Sequence, residues 1–248
     1  MSQPALDDLP GYRRRFRVTP GEGWIRTELE DDYHHMRVTL RHAGGVITAV
    51  EPEMVRAPWT TCPGALARLQ QTFTGTALAE APARMSEKAT NCTHLHDLAT
   101  LAAAHAGDRA VLTYDILAED PVAGRRRIEL RRNGEPVMHW VEQDGRLVEP
   151  AAAAGLGLLQ LKPYIESLDA EGQEQARILR WGAIVAHGRA IPLKDQSDAA
   201  RMPPTCFTFQ PETKVKARRV GEIRDFSPGG EQPLEPRRTA PKEASPAS

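Results

Sequence analysis

The sequence is short of aromatic residues, of cysteine and of long apolar runs, and it carries almost no net charge. Aromatic residues make up 5% of its 248 positions, too few for the stacking platforms with which single-strand binders hold bases. No apolar run approaches the roughly 20 residues that a membrane-spanning helix needs. The formal net charge of −1 gives no field to draw the chain to nucleic acid or to a membrane. Three cysteines, odd in number and widely spaced, make no disulfide framework. Met1 to Pro10 shows no basic stretch followed by an apolar one, so no secretory signal is visible and a reduced, cytoplasmic setting is expected. A serine elbow, a phosphate-cradling glycine loop and a dinucleotide fingerprint are also missing. Their absence weighs against serine hydrolases, nucleotide-dependent enzymes and flavin or nicotinamide oxidoreductases.

What is present is a 40% hydrophobic chain with enough length to bury a core. Its patterns predict an α+β fold, with antiparallel strands in two groups and helices packed on them. Residues 1–22, rich in Pro and Gly around the basic run Arg13-Arg14-Arg15, are expected to form an irregular arm, the charges being a solvated patch. Trp24 to Val55 alternates as strands, with His34, Met36, Val38, Leu40 and His42 on one face. Strands resume after Arg109, and Asn133-Gly134 signals a hairpin. Helices are expected at about 62–74, 93–106 and 169–187. Residues 23–190 then make one unit or two halves, about 23–90 and 91–190. Residues 210–248, dominated by Pro, Lys, Arg, Glu and Ser, are expected to be a disordered tail.

Chemistry concentrates in Asn91-Cys92-Thr93-His94-Leu95-His96-Asp97-Leu98. Asn91 or Thr93 could cap a helix there. Cys92 and Cys62 fall at predicted helix N-termini, where a thiolate is favoured; Cys206 does not. Both thiols are more commonly small buried residues, since free cysteine is usually buried. A second cluster crowds Asp31, Asp32, His34 and His35 at a strand end. Three chemistries remain open. The first is acid–base work by His34 or His94, oriented by Asp32 or Asp97, with no cofactor. The second is a divalent metal such as zinc on His34, His94, His96 and Cys92, although Cys-x-His-x-His is not a helical ligand spacing. The third is a Cys–His nucleophile pair. Tyr33, Trp59, Cys62, Cys92 and His96 are the candidate substrate-binding residues.

Arg26-Thr27-Glu28-Leu29-Glu30-Asp31-Asp32-Tyr33-His34-His35, Pro58-Trp59-Thr60-Thr61-Cys62-Pro63-Gly64-Ala65 and Cys92-Thr93-His94-Leu95-His96-Asp97-Leu98 together resemble the bacterial domain-of-unknown-function family 2889, over about residues 12–190. The resemblance implies a setting in the catabolism of aromatic, lignin-derived compounds, including carbon–carbon lyase steps that release formaldehyde. The leading expectation is therefore a lyase on a small phenolic substrate. A metal-dependent hydrolase or lyase, and a non-catalytic ligand-binding or regulatory protein, are the alternatives. A small aromatic molecule is the expected partner, with no nucleic acid and no membrane.

Overall fold

The computed structural model describes residues 4–192, 195, 197–227 and 231–235. Eight strands form one antiparallel sheet in the order β4-β3-β2-β1-β5-β6-β7-β8. They are β1 (Gly11–Gly21), β2 (Trp24–Asp31), β3 (His35–Ala43), β4 (Val46–Arg56), β5 (Leu112–Glu119), β6 (Arg125–Arg132), β7 (Glu135–Gln143) and β8 (Arg146–Glu149). The helices are α1 (Ala65–Phe73), α2 (Thr93–Ala104), α3 (Lys162–Glu166) and α4 (Ala170–Ala186), with tighter helical segments besides, among them Leu78–Thr90, and a last short helix at Pro211–Lys214. The α+β class holds, and the two predicted strand groups are the two halves of one sheet, joined where β1 pairs with β5.

The sheet has one helix-covered face and one charged face. Along β1, Tyr12, Arg14, Phe16 and Val18 point to the helices. Across the ladder they meet Asp31, Leu29 and Thr27 of β2 and Tyr114 and Ile116 of β5. α2 lies on β2 and β3, where Thr27 donates to the Leu98 carbonyl. α4 lies over β5, β6 and β7, with Trp181 tilted against Phe16. The opposite face is a lattice of ion pairs such as Arg37–Glu53 and Arg127–Glu119. Such exposed pairs set register and solubility more than stability.

Two predicted boundaries change. Residues 11–21 are not an irregular arm but a central strand, flanked on both sides, because the basic run has partners built across the sheet. Arg13 turns to the Leu6 and Leu9 carbonyls, Arg14 to Asp31 and Arg15 to Asp115. The predicted disordered tail is also incorrect for its described part. Residues 206–227 run back over the first half: Thr60 N donates to the Arg218 carbonyl and Val220 N to that of Pro58, at 3.0 and 2.9 Å. Arg224 N reaches the Asp32 carbonyl at 2.8 Å, and Phe226 is buried. The rest of that prediction, residues 228–230 and 236–248, lies outside the described residues. Among the described residues no helix is long and apolar enough to cross a membrane.

Candidate functional site

Asp31 ends β2 on the helix-facing side, and the chain bends through Asp32 and Tyr33 before β3 begins. The Asp31 carboxylate closes that bend. Its Oδ1 accepts from the amides of Tyr33 and His34, each at 2.7 Å, and lies 3.0 Å from His34 Nδ1. Its Oδ2 accepts from the Tyr12 hydroxyl and from Arg14 Nε, both at 2.8 Å, and from Arg14 Nη2. Register explains the pair, since Arg14 stands directly opposite Asp31 in the β1–β2 ladder. Burial alone would raise the Asp31 carboxyl, but Arg14 and His34 hold it well below the usual carboxylate range. An ionised acceptor at Nδ1 puts the His34 proton there and leaves Nε2 with a free lone pair.

His94, in the first turn of α2, stacks on His34 with centroids 3.9 Å apart and planes at 33°. Arg14 Nη2 lies 3.1 Å from His94 Nε2 and can only donate, so the His94 proton sits on Nδ1. Burial, His34 and Arg14 push the His94 imidazole well below its ordinary value. Burial also lowers His34, against the pull of Asp31. Both rings are therefore neutral near neutral pH, the state in which an imidazole can take a proton.

The two rings lie on the wall of a cavity of about 380 Å³. The first half of the chain supplies one side, with Tyr33, Trp59, Cys62 and Cys92 beside the histidines. The end of α4 and residues 205–209 close the other side. Trp59 meets Phe209 edge-on at 5.6 Å and 82°. Phe207 N donates to the Asn91 carbonyl at 2.9 Å. The Phe207 ring presses on Gly64, where a Cβ would come within 2.8 Å of it, which gives the glycine of Cys-Pro-Gly-Ala a physical reason. His187, just past α4, also faces this space; its Nε2 lies 3.2 Å from both oxygens of buried Glu142, which Arg126 holds at 2.9 Å.

Of the residues singled out from the sequence, Tyr33, His34, Trp59, Cys62, Cys92 and His94 converge on the cavity. Asp32, Asp97 and His96 do not line it. Asp32 faces Arg189 at 2.6 Å, and burial raises its carboxyl to about 7 against that partner. The carboxylate that orients His34 is its neighbour Asp31. Asp97 pairs with Lys88 at 2.5 Å. His96 packs on Phe73 and donates from Nε2 to the Arg84 carbonyl at 3.0 Å, with burial lowering it to about 4. The expected thiolates are corrected as well. Cys92 is the N-cap residue of α2 and Cys62 begins the turn before α1, but burial pushes both thiols up, and Cys206 to about 11. Desolvation outweighs the helix dipole here: Met36 Sδ is 4.0 Å from Cys92 Sγ, and on Cys62 the hydrogen bond donated by Thr208 Oγ1 at 3.4 Å only partly offsets burial. Neither Asn91 nor Thr93 caps α2 as expected: Thr93 is its first residue, and the Asn91 amide instead donates to Thr72 Oγ1 and the Glu87 carbonyl.

The predicted metal set does not assemble, since His96 turns away. A different trio does: one ligand atom each from Asp31, His34 and His94 lie within 4.8 Å of one another. This donor set does not fit a divalent ion as arranged. Arg14 is bonded to both Asp31 and His94 and already brings the positive charge that an ion would bring. A cation would have to displace a buried guanidinium from its carboxylate, leaving that charge unpaired.

Residues 18–107 match the family model described as a protein of unknown function (DUF2889), a shorter span than the 12–190 over which the motifs suggest resemblance. The match holds His34, Trp59, Cys62, Cys92 and His94. It leaves out Arg14, His187 and the segment that covers the cavity. No curated protein and no solved structure matches the chain.

Proposed function

We propose that the protein is a cofactor-independent lyase that cleaves a carbon–carbon bond of a small phenolic substrate by acid–base chemistry. One observation carries the reading: a neutral imidazole, His34, is fixed by a buried carboxylate on the wall of a largely apolar cavity of ring-accommodating size. A phenol with a benzylic hydroxyl and a hydroxymethyl group on the next carbon fits that equipment. The phenol loses its proton and pushes electrons through the ring. The benzylic hydroxide leaves as water, taking a proton that His187, tied to Glu142, is placed to relay. His34 Nε2 then takes the hydroxymethyl O–H proton. The carbon–carbon bond breaks, formaldehyde departs, and the electron pair restores the aromatic ring. The products are an alkene, formaldehyde and water, and the proton on His34 returns to the phenolate. Burial and Arg14 keep His34 neutral until it takes that proton, and His94, itself held neutral, puts no positive charge beside it to oppose the transfer. The free thiols suit a reducing, cytoplasmic setting.

The test is to incubate purified protein with a panel of hydroxymethyl-bearing phenolic dimers and measure formaldehyde. Turnover beyond one equivalent is expected, falling about 100-fold or more in His34→Gln, the scale of a lost general base. No release across the panel from folded protein sinks the reading.

A further inference from the structure

The buried and half-buried arginines around the core are bonded to the protein: Arg13 donates to the Leu6 and Leu9 carbonyls, and three others pair with carboxylates. Arg14 has Asp31, Arg126 has Glu142 and Arg189 has Asp32. Arg219, on the cavity wall, is different. Among the described residues no carboxylate lies within ion-pair distance of its guanidinium, and none accepts a hydrogen bond from it. It is nevertheless held in place. Its Cζ lies 5.5 Å from the Tyr33 ring centroid and 5.6 Å from that of Trp59, and its backbone bridges to Trp59. Aromatic faces fix the plane of a guanidinium while leaving its N–H edge free. Asp195, exposed, also lines the cavity but is not paired with it. A half-buried guanidinium with a fixed plane, no counter-ion and an edge available is the donor half of a two-bond carboxylate site.

We propose that Arg219 anchors a carboxylate on the ligand, so that the cavity selects aromatic acids over neutral aromatic compounds of the same shape. The Tyr33 ring gives the scale: its centroid lies 5.5 Å from Arg219 Cζ and 6.2 Å from the His34 ring, and all three residues line the same cavity as His94. A molecule one aromatic ring long, seated on Arg219 by its carboxylate, therefore brings its far end to the His34–His94 pair. This rests on the cavity being the substrate site, but not on the lyase step.

The experiment titrates the full chain, followed by calorimetry, with para-hydroxybenzoate and with para-hydroxybenzamide, a neutral near-isostere. The acid binds at least tenfold tighter than the amide to the unaltered protein. Arg219→Gln brings the ratio close to one, Arg219→Lys keeps part of it, and His34→Gln keeps it in full. Thermal midpoints confirm that each variant is folded. The proposal is overturned if the unaltered protein does not prefer the acid, if it binds neither probe, or if Arg219→Gln retains the ratio. The lyase reading fails separately: a protein that prefers the acid but turns over no phenolic dimer keeps the anchor and loses the reaction.

Discussion

Asp31 has two duties that one substitution separates poorly and two substitutions separate well. It is the acceptor that fixes the His34 tautomer, and it is the counter-ion of Arg14, whose side chain is 1% exposed. Asp31→Asn keeps the shape but removes the charge, leaving a buried guanidinium and the Tyr12 hydroxyl with a weaker acceptor. A cost of about 3–5 kcal/mol in folding stability is expected, the usual penalty for an unpaired buried charge. His34→Gln removes the proposed base without that penalty and should keep most of the stability. Urea denaturation of both variants, beside their turnover, distinguishes a structural carboxylate from an orienting one; equal stability in the two would mean that the Arg14 pair contributes little. The neighbouring Asp31 and Asp32 also show what the sequence does not disclose. Which of the two faces the helices depends on where β2 ends and the bend starts, and a shift of one residue reverses the face. The His34 and His94 candidates, by contrast, were legible, because a strand face and a helix start each put a histidine on the buried side.

Element by element, the hairpins and the helices were the most readable parts. Asn133-Gly134 closes its turn with both residues at positive φ, and the helix predicted for 169–187 appears as Ala170–Ala186, capped by Asp169 accepting from Gly172 N at 2.8 Å. β1 was hidden because Pro10, Gly11, Pro20 and Gly21 bracket a basic run, a composition typical of loops, and because the acidic partners of that run lie on other strands. The packing of α4 was also invisible, and it turns on one glycine. A Cβ at Gly182 would come within 2.5 Å of Ile116 Cδ1 and 2.9 Å of its Cγ2 on β5. Gly182→Ala gains about 1 kcal/mol of helix propensity but overpacks the helix–sheet contact by about 1–3 kcal/mol. A net loss of about 1 kcal/mol is expected, partly recovered when Ile116→Val removes the nearer methyl. Thermal melts of the single and double variants check the coupling; simple additivity would mean that the layer yields instead.

For the molecule as a whole, Arg189 is the hub. It binds Asp32 just past β2, Asp120 just past β5 and Asp225 in the returning C-terminal segment, at 2.6, 2.9 and 3.3 Å. No sequence pattern could announce this joint, since its members are up to 193 positions apart (225 − 32); the same holds for Phe207, Phe209 and Arg219, which lie in a segment without periodicity. Burial raises the Asp32 carboxyl to about 7 even with Arg189 beside it, and removing Arg189 raises it further. A carboxyl raised in the fold binds its proton more tightly than in the unfolded chain, so its contribution is present below the unfolded value of about 4 and is lost as pH rises through the folded value. Arg189→Ala should therefore be destabilised most above pH 7, by about 3 kcal/mol near pH 8.5, with a smaller deficit near pH 5.5. Denaturation curves at the two pH values check this; a deficit independent of pH would place the cost at Asp120 or Asp225.

The strand order is a palindrome: two four-strand meanders, each followed by two of the four helices α1–α4, meet back to back along the single β1–β5 ladder. The cavity lies across that arrangement, with its histidine wall from the first meander's side and its cover from the chain after the second. An occupant therefore bridges two parts of the chain that are also held by the β1–β5 seam, the Phe16–Trp181 contact, the Arg189–Asp32 pair and the returning C-terminal segment. Filling the cavity draws free energy from mass action into that seam, as RT ln(1 + [L]/Kd) for a ligand that binds only the closed form. Every tenfold rise in free ligand beyond Kd then adds about 1.4 kcal/mol against prying the halves apart. A ligand there becomes a removable stitch, and resistance to mechanical or proteolytic opening becomes a gauge of how full the cavity is.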